Sequence, residues 1–177
     1  MTDESPGRVR PVVVLVGPPG SGKTSVGGAL ARITGHRLRD TDSDIEATAG
    51  RPIPDIFVTD GEPVFRAMER TAVATALAEH DGILALGGGS ILAEETRSAL
   101  VGHSVVFLGL TMPTGVRRTG LASNRPLLTG VNPRATYKAM LAARLPLYNE
   151  VATIVVQTDE LSVDEVAAVI VDKLGLA

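Results

Sequence analysis

The sequence predicts an α/β protein with a central five-stranded parallel sheet flanked by helices. Three observations carry this. Short β-branched runs alternate with longer stretches of helical period, the pattern of repeated βαβ units. The loop Gly17-Pro-Pro-Gly-Ser-Gly-Lys-Thr24 stands directly between the first apolar run and the first helical stretch. Aromatic residues are few, two Tyr, three Phe and no Trp, so the core must be built from Val, Leu, Ile and Ala, which suits a compact sheet.

Val12–Val16 reads as the central strand. Val26, Leu30 and Ile33 recur at i, i+4 and i+7, which predicts a helix from near Gly22 to a stop at Gly35. A weaker strand spans Arg37 to Asp40, and Arg39 marks it as an edge open to solvent. Ile83–Leu86, Val105–Leu108 and Ile154–Val156 complete the set. The last helix has a capping box in Ser162 and Glu165, an apolar face of Val163, Val166, Ile170 and Leu174, and a stop at Gly175. Residues 111–135 break the rhythm and predict a mobile loop.

The 177 residues suit one domain, and 44% hydrophobic with 21% charged residues is ordinary for a globular chain. No run approaches the roughly 18 apolar residues of a membrane span, and Met1–Arg10 has no apolar region to act as a secretory signal. The expectation is a cytoplasmic protein with no membrane partner. A formal net charge of -3 argues against broad nucleic-acid binding. Cysteine is absent and the three His are scattered, which excludes disulfides, thiolate chemistry and a zinc motif.

Gly17-x4-Gly22-Lys23-Thr24 has Walker A spacing in the required place, after a strand and before a helix. Backbone N–H groups of Gly20, Ser21, Gly22, Lys23, Thr24 and Ser25 can converge on phosphate oxygens, aided by the positive end of the helix. Lys23 would reach the outer phosphates and the Thr24 hydroxyl would ligate Mg²⁺. A merely structural glycine turn would not explain Lys-Thr at that offset. The Asn-Lys-x-Asp guanine reader of a GTPase does not occur, which leaves mainly small-molecule and nucleotide kinases.

"DTDSD", Asp40 to Asp44, follows the second strand, at the sheet end where α/β proteins bind ligands. One carboxylate there can hold the waters of Mg²⁺ and another, two residues on, can accept a hydrogen bond from an attacking hydroxyl. A helix N-cap supplied by Asp42 or Ser43 is the equal alternative. "LGGGS", Leu86 to Ser90, predicts close approach by a ligand or another backbone, or else a flexible hairpin.

These motifs, with "DIFVTDGEPVFRAME" from Asp55 to Glu69, Gly87-Gly-Gly89, Arg125-Pro-Leu-Leu128 and "RLPLY" from Arg144 to Tyr148, together resemble shikimate kinase over about Val12 to Ala152. The resemblance implies a P-loop, nucleoside-monophosphate-kinase-like fold in three layers and ATP-dependent phosphorylation of the shikimate 3-hydroxyl. It implies a single domain over 1–177, with a mobile lid at about 112–125 and an acceptor-binding region at about 41–70. Lys23 would be a phosphate ligand, Thr24 the direct Mg²⁺ ligand and Asp40 the holder of metal waters. Asp42 would bind shikimate and orient its nucleophile. Arg66 and Arg144 would grip its carboxylate, with Gly87, Gly88 and Gly89 supporting the ring. Arg125 would reach the transferring phosphate and Arg118 would lie against adenine. Phe57, Phe65 and Tyr148 either wall the ring or pack in the core. "TDELS", 158–162, departs from the family pattern, which leaves adenine contacts there open. A monomer is expected. The competing readings are a gluconate or nucleotide kinase and a non-catalytic nucleotide-binding regulator.

Overall fold

The computed structural model describes residues 8–120 and 132–176. Five strands and eight helices alternate along them: β1 (Val13–Val16), α1 (Lys23–Thr34), β2 (Leu38–Asp40), α2 (Thr41–Ala49), α3 (Ile53–Asp60), α4 (Glu62–Glu79), β3 (Ile83–Ala85), α5 (Glu94–Ala99), β4 (Val105–Gly109), α6 (Met112–Thr119), α7 (Pro133–Val151), β5 (Ile154–Gln157) and α8 (Val163–Leu174). A short 3₁₀ turn, Ser90–Leu92, follows β3.

All five strands are parallel, in the order β2-β3-β1-β4-β5. The most apolar strand takes the centre: Leu15 lies opposite Ala85 of β3 on one side and Val106 of β4 on the other. The two-residue period of a strand then divides β1 between the faces. Val13 and Leu15 pack with Val26 and Leu30 of α1 and with Val166 and Ile170 of α8. Val14 and Val16 pack with Val73 and Leu77 of α4 and with Tyr148 of α7. The result is a helix–sheet–helix sandwich. A smaller core of Ile45, Ile56 and Phe65 ties α2, α3 and α4 together.

β2 is an edge strand, as Arg39 predicts, and Arg39 is paired there with Asp44 at 2.7 Å and Glu79 at 3.3 Å. α1 stops at Gly35, which adopts a left-handed conformation at φ 77°. At α8 the Ser162 side chain accepts from Glu165 N at 3.1 Å, as the capping box requires.

Two expectations are corrected. β3 ends at Ala85, so Leu86 lies outside the strand although it stays buried. The irregular loop expected over 111–135 is helical at both described ends. Thr111 N donates to Asp159 at 3.0 Å just ahead of α6, and Asn132 accepts from Ala135 N at 3.1 Å to cap α7. The side chains of Asp159, after β5, and Asn132 anchor the starts of helices that apolar periodicity did not announce. Arg125 and the stretch Arg125–Leu128 lie outside the described residues. No helix among the described residues is long and apolar enough to cross a membrane.

Candidate active site

The phosphate loop joins β1 to α1, and its glycines are there for space and conformation. Gly20 and Gly22 have φ of 85° and 87°, a region that side chains disfavour. Gly22 caps α1 without a side-chain hydrogen bond, so the first-turn N–H groups face the cleft. An anion is the natural partner of such a helix end. Lys23 Nζ arches back over the loop, 2.7 Å from the Gly17 carbonyl and 3.2 Å from that of Pro18. The Tyr137 hydroxyl, from α7, donates to the Pro19 carbonyl at 2.8 Å and braces the loop from behind.

In the first turn of α1, the Thr24 hydroxyl donates to Asp40 Oδ2 at 2.8 Å. Asp40 Oδ1 accepts from Asp42 N at 2.9 Å and so caps α2. This corrects the capping alternative: the cap is Asp40, neither Asp42 nor Ser43. Asp42 is thereby left for other work. Its carboxyl is pushed up to about 6, first by burial and then by Asp40, with Lys23 pulling the other way.

The acceptor loop after β3 is a tight turn into the 3₁₀ segment, held by Ser90 N donating to the Gly87 carbonyl at 3.0 Å. The close-approach reading holds and the flexible hairpin does not. A Cβ at Gly87 would lie 2.6 Å from Asp42 Oδ1 and 2.9 Å from Glu69 Oε2, and one at Gly88 would lie 3.3 Å from the Gly17 carbonyl. At Gly89 it would collide with the Arg66 guanidinium. Three side chains with charge to offer therefore converge on a backbone that has none.

Arg66, half-buried on α4, is 2.8 Å from Glu69 and 3.3 Å from Glu62. Arg144 is buried on α7 and hydrogen-bonds Tyr148. The Tyr148 hydroxyl donates to the Gly88 carbonyl at 2.5 Å, and burial above all pushes its pKa up to about 12. Its ring stacks on Phe107 with centroids 4.9 Å apart. Phe57 and Phe65 pack against each other at 4.7 Å in the small core. None of the three lines the phosphate cleft.

A cleft of about 550 Å³ runs from Asp40, Asp42 and Gly88, along residues 19–25, to Arg118, Thr158 and Ser162. Arg118 bridges its far end, donating to the Gly20 carbonyl at 3.2 Å and to Thr158 Oγ1 at 3.0 Å. The 158–162 turn, left open by the sequence, therefore forms part of the wall. A second hollow of about 380 Å³ is lined by Glu62, Arg66, Arg70 and Gly89. Arg66 thus opens on this neighbouring hollow and Arg144 lies buried, while Lys23, Thr24, Asp40 and Asp42 share the main cleft. Sequence reasoning missed Glu69, Thr41 and Thr158. Glu69 alone left a signal, an acid three residues after Arg66 on a helix.

A loop shaped for phosphates, beside a hollow walled by guanidinium and carboxylate groups, places the chain among the P-loop kinases of small molecules. A family model described as shikimate kinase matches residues 19–175. A shikimate kinase of Saccharopolyspora erythraea is 58% identical over 164 residues, covering 93% of this chain and 94% of its own. The solved shikimate kinase from Acinetobacter baumannii, in complex with shikimate, superposes with a TM-score of 0.89 at 35% identity, covering 94% of this chain and 93% of its own. A gluconokinase from Sinorhizobium meliloti superposes at 0.59 with 20% identity, covering 96% of this chain and 94% of its own, a likeness of fold alone. The chain belongs to the shikimate kinase family.

Proposed function

We propose that the chain transfers the γ-phosphoryl group of ATP to the 3-hydroxyl of shikimate, using the residues of the cleft as follows. The reaction is that of the family, an ATP-dependent phosphorylation on the route to chorismate and the aromatic amino acids. The roles of Lys23, Thr24, Asp40 and Asp42 are supported by the cleft that they share. Lys23 and the open N–H groups of the first turn of α1 neutralise the phosphates. Thr24 and Asp40 offer two hard oxygens 2.8 Å apart, a donor set that fits Mg²⁺, which takes one or two protein oxygens and completes its shell with phosphate and water. Bound there, Mg²⁺ would offset charge on the phosphoryl oxygens.

Asp42 accepts the hydrogen bond of the attacking hydroxyl and aims it at the phosphorus. Arg66 and Arg144 would take the acceptor carboxylate, whose two oxygens match a guanidinium fork. The N–H groups of the Gly87–Gly89 loop would support the ring, Arg118 would lie against adenine, and Arg125 would reach the transferring phosphate. The observation that carries this reading is the place of Asp42, which lines the phosphate cleft with Lys23 and also abuts Gly87 of the acceptor loop. The proposal extends to a cytoplasmic monomer without nucleic-acid or membrane partners, supported by the formal net charge of -3.

The test is ADP release measured with shikimate, gluconate and AMP in parallel. Release with shikimate alone is expected. Release with gluconate alone would overturn the substrate while leaving the fold intact, and nucleotide binding without turnover on any acceptor would indicate a regulator.

A further inference from the structure

Two buried hydroxyl groups, from two different helices, hold a loop that has no side chains of its own to anchor it. Gly87–Gly89 has no side chains, and glycine has the largest backbone freedom of any residue. Thr41, 0% exposed at the start of α2, accepts a hydrogen bond from Gly87 N at 3.2 Å. Tyr148, 1% exposed on α7, donates to the Gly88 carbonyl at 2.5 Å. The carbonyls of Gly87 and Gly89 accept from Ser90 N and Leu92 N, at 3.0 and 3.1 Å. Among the described residues, the N–H groups of Gly88 and Gly89 are the loop donors left without a protein acceptor.

Each hydroxyl belongs to an element that also carries a group of the acceptor site. Thr41 immediately precedes Asp42. Tyr148 lies one turn beyond Arg144, to which it is hydrogen-bonded. The loop is therefore tied at Gly87 to the helix that carries the acid and at Gly88 to the helix that carries a guanidinium.

We propose that Thr41 and Tyr148 are positioning residues that hold the Gly88 and Gly89 N–H donors in register with Asp42 and Arg144 for a hydroxylated carboxylic acid. This rests on the reading of Asp42 and Gly87–Gly89 as the acceptor site. Donors fixed before binding need no ordering when the acceptor arrives, so affinity for that substrate depends on the two hydroxyls. The phosphate loop has its own brace in Tyr137, so affinity for ATP does not.

The test uses Thr41→Val and Tyr148→Phe, which remove a hydroxyl and keep the shape, with Thr41→Ser as rescue. The expected result is a rise of about tenfold in KM for shikimate in each variant, the size of one lost buried hydrogen bond. KM for ATP should stay within about twofold of wild type on the same argument, and Thr41→Ser should resemble wild type. In the substrate-free protein, exchange of the hydrogen-bonded Gly87 and Ser90 amides should quicken about tenfold while α1 is unaffected. Unchanged KM and exchange, a parallel rise in KM for ATP, or Thr41→Ser behaving like Thr41→Val would each overturn the proposal. Should Thr41→Val fail to fold, Tyr148→Phe decides by the same readouts. A wild-type protein inactive on shikimate would overturn the acceptor assignment instead, and the exchange rates would still decide on the two hydroxyls.

Discussion

Arg66 and Glu69 lie one turn apart on α4, with the guanidinium Nη1 2.8 Å from a carboxylate only 3% exposed. A carboxylate so buried must be paired, and here the pairing also fixes the arginine at the rim of the acceptor hollow. Glu69→Ala should raise KM for shikimate about tenfold and cost about 1–3 kcal/mol of stability in a denaturant melt. Arg66 keeps Glu62 at 3.3 Å, which limits the loss. A variant with wild-type KM would show that Arg66 needs no help from Glu69.

Asp42 is the group whose loss should reach turnover rather than binding. Asp42→Asn keeps the size and removes the charge, so kcat should fall by roughly 10²–10⁴, the usual worth of a positioned acid or base. KM should change far less. Turnover near wild type would remove Asp42 from the chemistry.

Thr24 and Asp40 make a prediction about the metal. Thr24→Val keeps the shape of α1 and removes one of the two oxygens, so the Mg²⁺ concentration for half-maximal rate should rise about tenfold, the effect of one lost ligand bond. Chelation should abolish wild-type activity, and added Mg²⁺ should restore it. An unchanged Mg²⁺ requirement in Thr24→Val would place the ion elsewhere.

On the turn that walls the far end of the cleft, Asp159 anchors the start of α6. Burial raises the pKa of its carboxyl, but hydrogen bonds from Thr114 and Thr111 outweigh that and hold it at about 2, below the ordinary 3.8. A carboxyl depressed in the fold adds stability that is complete above about pH 4 and is lost as pH falls through about 2. Asp159→Ala should therefore melt lower at pH 7, by about 1 kcal/mol given its solvent exposure. The gap between wild type and variant should close on acidification toward pH 2. A constant gap would mean that the carboxylate charge contributes nothing.

Core substitutions should follow the layering. Leu15 is fully buried between α1 and α8, and Leu15→Ala should cost about 2–5 kcal/mol, the range for a leucine cavity. Thermal melting would measure it, and a cost below that range would show that the helices can close over the gap.

Much of the site was legible because its residues are local signals. The Walker spacing places Lys23 and Thr24 by counting, and Asp40 and Asp42 follow their strand directly. Glu69 was harder, since an acid one turn from an arginine on a helix is commonplace until burial is known. Thr41 and Thr158 left no signal at all. A threonine is ordinary in any sequence, and the hydrogen bonds that these two accept, from Gly87 and from Arg118, span 46 and 40 residues.

The sequence by itself determined the five strands, the phosphate loop, the last helix and the family, because apolar period, loop chemistry and caps act over a few neighbouring residues. Only the tertiary structure decided that Asp40 caps α2 while Asp42 is left beside Lys23, that Tyr148 packs under Gly88, and that α6 begins on Asp159. Each of these depends on which distant groups meet when the sheet closes, and that meeting is settled by packing over the whole chain.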